Sequence, residues 1–116
     1  MLIRIDPNAD APLFEQIAAS VRRAIADGAA PSGTRLPGAR ELAESLDLNV
    51  HTVLRGYQVL RDEGLIELRR GRGAVVATDA GDRGALRSAV LAYVATARRL
   101  GLSAPEAARL VEEEMS

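Results

Sequence analysis

Arg69, Arg70 and Arg72 crowd into four residues that contain no acid, and Gly71 and Gly73 lie between and beside them. A guanidinium stays charged at physiological pH and presents a planar fork of donors that fits phosphate oxygens. Glycine lets a backbone approach another surface closely and take positive φ at no steric cost. A tip of that make-up suits a negative cleft such as the minor groove of DNA, whose potential attracts arginine. Upstream, Asn49, His51, Thr52 and Arg55 fall within seven residues. If they open a helix, their side chains can meet base edges in a major groove, and Arg55 can donate two hydrogen bonds to guanine or clamp a phosphate. Arg40 and Arg35 are further candidates for phosphate contacts. Each assignment has an ordinary alternative. Arginines at a hairpin tip serve solubility, His51 and Arg55 can be solvated surface residues, and Arg40 can pair with Glu44 one turn on.

These residues need a frame, and the surrounding pattern provides one. Leu2-Ile3-Arg4-Ile5 alternates as a short strand would. Pro12 opens a helix whose apolar stripe is Leu13, Ile17, Val21 and Ile25, with Gly28 as its stop. Thr34-Arg35-Leu36 is extended, because Pro37 disfavours helix at the residue before it. A short helix follows from Gly38 to Leu46, burying Leu42, Ala43 and Leu46. Asp47-Leu48-Asn49 breaks it, and Asn49 is a good N-cap for a third helix through Val53, Tyr57 and Leu60 to Gly64. Leu65–Leu68 and Ala74–Val76 form a hairpin around the arginine tip, with Arg35-Leu36 as a third strand. The expected fold class is α+β, mainly helical: a winged helix-turn-helix over residues 1–77, a linker over 78–84 and a two-helix hairpin over 85–116. In that hairpin Leu86, Val90, Val94 and Ala97 mark one helix, Gly101 ends it, and Ser103 with Glu106 makes a capping box for the next.

Composition removes several classes. The chain of 116 residues has no cysteine and a single histidine, so a disulfide framework, a thiolate metal site or an imidazole cluster is not expected, nor any cofactor. No nucleophile–base pair is visible, and Glu112–Glu114 reads as a solvated helix face, so the chain is not expected to be an enzyme. The Gly71-x-Gly73 pair lacks a third glycine and the helix that a nucleotide loop needs. With no signal peptide and no apolar run of membrane-spanning length, the expected location is the cytoplasm, in association with the nucleoid. The net charge of −1 weighs against nucleic acid; the clustering of the arginines weighs more.

Pro-Leu-Phe-Glu-Gln-Ile (12–17), Gly-Thr-Arg-Leu-Pro (33–37), Arg-Glu-Leu-Ala (40–43), Asn-x-x-Thr-Val-x-Arg-x-Tyr (49–57) and Glu-Gly-Leu-Ile followed by Arg-Gly-Arg-Gly resemble the successive signatures of the bacterial GntR regulators. The tail resembles that of the small YtrA-like branch, by length and by Leu100-Gly101-Leu102-Ser103. The resemblance implies a DNA-binding transcriptional regulator, a repressor in that branch, with Arg40 as a DNA contact and Arg70-Gly71 as the minor-groove probe. Gly38 stands where most of the family has serine, and Val50 and Leu54 stand where many have arginine. Direct base readout by those two arginines is therefore absent, a departure the YtrA-like branch shares.

Two helices of about 30 residues cannot bury their apolar stripes on each other alone. Docking on a second copy makes a four-helix bundle with Leu86, Val90, Tyr93, Val94, Leu110 and Val111 as its core. The alternative is that they fold back on their own reader. A homodimer of readers needs double-stranded DNA carrying an inverted repeat. Two helices offer too few walls for a dedicated effector pocket, so any small-molecule effector stays unidentified. The competing function is a winged-helix module for protein–protein contact without sequence-specific DNA binding.

Overall fold

Pro12 stands at the N-cap of the first helix, α1 (Leu13–Ala26), whose buried stripe is Ile17, Ala18 and Val21. Gly28, just past its end, has φ +78°, which stops the helix where the composition indicated. The computed structural model describes residues 3–116, arranged as two compact units, Met1–Gly84 and Ala85–Ser116.

In the first unit α2 (Ala39–Leu46) starts after Gly38 and buries Leu42 and Ala43. Asp47 then takes the left-handed conformation at φ +54°, and the Leu48 N–H reaches back to the Ala43 carbonyl at 2.8 Å. That bond spans the turn, so the next helix departs at once. α3 (Val50–Asp62) is capped by the Asn49 side chain, which accepts from the His51 N–H at 2.8 Å. At its other end the Gly64 N–H bonds the Arg61 carbonyl and the Leu65 N–H bonds the Leu60 carbonyl, a Schellman closure with Gly64 at φ +79°.

β1 (Ile66–Arg69) and β2 (Gly73–Val76) pair antiparallel from Ile66↔Val76 to Arg69↔Gly73. The expected third strand is reduced to one bridge, Arg35↔Val75. Its bonds run from the Leu36 N–H to Ala74 and from the Val76 N–H to Thr34, at 2.9 and 2.8 Å. Pro37 has no N–H to continue the ladder. The strand expected at the N-terminus also fails: Leu2 lies outside the described residues, and Ile3–Ile5 joins no sheet. Side chains of α1 take its backbone instead, Ser20 Oγ accepting from the Arg4 N–H and Gln16 Oε1 from the Asp6 N–H.

The core of this unit gathers Ile17, Val21, Val53, Leu60, Leu65, Ile66 and Val76. α1 and α3 come closest at Gly56, where a Cβ would lie 2.9 Å from the Phe14 carbonyl oxygen and 3.1 Å from Ile17 Cγ2. Arg22 of α1 also grips Glu63 at the end of α3, with Nε donating to Oε1 at 2.8 Å. That bond, ahead of the cost of burial, holds the Arg22 pKa above its ordinary value. The Tyr57 hydroxyl donates to the Pro37 carbonyl at 2.7 Å and ties the approach to α2 onto α3.

α4 (Ala80–Arg99) begins inside residues 78–84, so most of the expected linker is helix. The Asp79–Arg83 ion pair, 2.8 Å and one turn apart, supports that first turn. The small residues and glycines at 80–84 have the composition of a loop without forming one. The division between the two units nevertheless falls after Gly84. In the second unit the Gly101 N–H bonds Arg98 and the Leu102 N–H bonds Ala97, closing α4 with Gly101 at φ +76°. Ser103 and Glu106 form the expected capping box for α5 (Ala104–Met115). The Tyr93 hydroxyl joins the two helices by donating to the Ala107 carbonyl at 2.7 Å.

Candidate nucleic-acid interface

With Val53, Gly56, Tyr57 and Leu60 turned inward, α3 presents His51, Leu54, Arg55 and Gln58 outward. His51 is exposed in the first turn, whereas Thr52 is half-buried, less open than its neighbour. Asn49 is exposed, but its carbonyl oxygen is engaged by the cap; its amide remains as a donor. Arg55 is exposed and its guanidinium carbon lies 3.9 Å from the centre of the Phe14 ring.

Arg40 is the second residue of α2 and exposed, and among the described residues it makes no ion pair with Glu44. Arg35 is exposed on the bridge beside β2. At the wing tip the Arg72 N–H bonds the Arg69 carbonyl at 3.0 Å, closing a turn whose third residue, Gly71, has φ +80°. That turn leaves Arg70 and Arg72 exposed with no acceptor among the described residues. Arg69 differs: its guanidinium pairs with Glu67, two residues back on β1, at 3.1 Å. Its charge is thus partly neutralised, which separates it from the other two.

Two features were not expected from the sequence: a groove beside the wing and a close helix contact beneath Arg55. Leu54, 47% exposed, and Leu68, 60% exposed, line a shallow groove between α3 and the wing with Tyr57, Gln58 and Arg61. Phe14 and Gly56 are parts of the α1–α3 contact beneath Arg55. The glycine at 56, inside the apolar-periodic run of α3, was the available signal for close approach.

The second unit carries the other set of candidates. Leu86, Val90, Leu110 and Val111 are 63%, 49%, 46% and 43% exposed, while Tyr93 and Val94 are half-buried. α5 has no buried residue. Among the described residues no group of side chains could hold a metal ion, and no helix is long and apolar enough to cross a membrane.

A short helix, a left-handed turn, a capped second helix and a basic strand pair define a winged helix-turn-helix, a class of DNA-binding domain. Comparison with known proteins names the family. The family model for "Bacterial regulatory proteins, gntR family" matches residues 13–76. HTH-type transcriptional regulator Rv1152 of Mycobacterium tuberculosis is 36% identical over 107 residues, covering 92% of this chain and 88% of that protein. HTH-type transcriptional repressor YtrA of Bacillus subtilis is 38% identical over 79 residues, 68% of this chain and 61% of the other. The solved structure of YtrA from Sulfolobus acidocaldarius, a GntR-family transcription factor, is 36% identical with a TM-score of 0.64, covering 82% of this chain and 99% of that one. The chain belongs to the GntR family and is a DNA-binding transcriptional regulator.

Proposed function

We propose that the chain is a repressor that binds an inverted-repeat operator as a homodimer, in the cytoplasm and on the nucleoid, without catalysis. The observation that carries this reading is the pairing of two unfinished surfaces. One is a row of unsatisfied donors on α3, α2 and the wing; the other is a set of exposed apolar side chains on the C-terminal helices. His51 and Arg55 meet base edges in the major groove, with Asn49 and Thr52 beside them. Arg40 and Arg35 hold phosphates. Arg70 enters the minor groove over Gly71, flanked by Arg72; Arg69 contributes less because Glu67 already holds it. Leu86, Val90, Tyr93, Val94, Leu110 and Val111 form the core of a bundle with a second copy. Repression is supported by the YtrA relative from Bacillus subtilis, which is named a transcriptional repressor.

The test is selection of bound duplexes from a random pool at two salt concentrations. The expected product is an inverted repeat with half-sites about one helical turn, roughly 10 base pairs, apart. Retention without enrichment would leave a non-specific DNA coater, and no retention at either salt would favour a protein-contact module. On the selected duplex, Arg55→Ala should relax preference at one position by about 1–3 kcal/mol. Arg70→Ala should weaken binding more uniformly across sequences; unchanged affinity would contradict the wing's role.

A further inference from the structure

We infer that Phe14 is the platform that holds Arg55 ready for DNA, a positioning residue on a helix that does not itself enter a groove; the inference rests on the function proposed above. The Arg55 guanidinium lies over the ring, 3.9 Å from carbon to centroid. At that distance a cation on a ring face is attracted by the ring's quadrupole. The ring offers the cation a charge attraction rather than a conventional acceptor, so the N–H donors of the guanidinium keep their hydrogen-bonding capacity. None of them meets an acceptor among the described residues, so they stay available for phosphate or a base.

The local build explains why the ring is there. Gly56 follows Arg55 directly, and its missing Cβ is what admits the Phe14 backbone, whose carbonyl oxygen would be 2.9 Å from such an atom. Residue 56 therefore sets the spacing, and residues 14 and 55 use it. Phe14 itself is half-buried in the first turn of α1 and lies outside the buried core of the unit. A leucine would fill most of the same space; it would not attract a cation. An arginine side chain has large rotamer freedom, which binding must remove. A ring that already restricts it lowers that cost before DNA arrives.

The experiment compares the wild type with Phe14→Leu, Phe14→Tyr, Arg55→Ala and the Phe14→Leu/Arg55→Ala double variant. The probe is the duplex selected from the random pool by the wild type. Thermal melting of each free protein checks folding. Phe14→Leu is expected to weaken binding by about two- to fivefold per reader domain. Phe14→Tyr should bind as the wild type, and the double variant no more weakly than Arg55→Ala alone. If Phe14→Leu binds like the wild type while Arg55→Ala does not, the platform is refuted and the DNA reading stands. If Arg55→Ala itself binds normally, the role of Arg55 fails and the platform with it. Added weakening in the double variant would make Phe14 a merely structural residue and would also refute the inference. A readout independent of DNA and of any variant is the Arg55 Nε–H resonance of the free protein. Ring stacking should move it upfield of the other exposed arginines, and its absence from that region would overturn the proposal.

Discussion

The reader unit and the C-terminal helices are both built from capped helices with apolar stripes, yet among the described residues only the reader buries large apolar side chains. Ile17, Val21, Val53, Leu60, Leu65, Ile66, Val75 and Val76 are each under about 2% exposed. In the C-terminal unit Leu86, Val90 and Leu91 stay 63%, 49% and 56% exposed. The caps do not account for the difference. Gly101 closes α4 as Gly64 closes α3, and α5 has the fuller N-terminal cap of the two. Local signals therefore define elements equally well in both units. An interior needs a third surface, which three helices and a wing supply and two helices do not.

That contrast can be broken or sharpened by substitution. The largest effect is expected from Leu60→Ala, which removes a fully buried side chain and should cost the reader about 2–5 kcal/mol in denaturant unfolding. Leu86→Ala should change reader stability by less than about 0.5 kcal/mol, as at an exposed site. Next is Gly56→Ala. Alanine is the better helix former by about 1 kcal/mol. Its Cβ nonetheless meets a backbone oxygen that cannot move cheaply, so a net loss of about 1–3 kcal/mol is expected. A gain in thermal stability would show that α1 and α3 are not held at that spacing.

Tyr57→Phe comes last, at about 1 kcal/mol, because it leaves the Pro37 carbonyl without its donor. This site also has a pH signature. Burial first, and then the charge of Glu41, raises the Tyr57 pKa above its ordinary 10.0. A folded-state pKa that is raised stabilises fully below the unfolded value and is lost at higher pH. Stability should therefore fall as pH rises beyond about 10. The Tyr57→Phe variant should lack that part of the alkaline slope; an identical slope in both proteins would remove Tyr57 as its source.

What the sequence made legible follows from what is local. The Asn49 cap, the closures at Gly64 and Gly101, and the Ser103–Glu106 box each need only a few neighbouring residues, and each is present. The wing arginines could be read for the same reason. Two of the features that were missed depend on partners far along the chain, and one on a local ion pair. The N-terminal segment alternates like a strand, but its backbone groups are taken by Ser20 and Gln16 of α1. Residues 80–84 have loop composition, yet they start a helix whose first turn is supported by the Asp79–Arg83 pair. Phe14 lies 41 positions from Arg55, so no spacing rule could join them.

The reader buries its core within one chain, whereas the bundle proposed for the C-terminal helices requires a second copy. Sedimentation of the wild-type chain and of Val90→Asp, with circular dichroism on both, tests it most directly. The wild type should run at twice the chain mass of 12.3 kDa and the variant at 12.3 kDa, with the reader's melting transition retained. A wild type that stays monomeric at micromolar concentration, or a variant that still pairs, would contradict the claim.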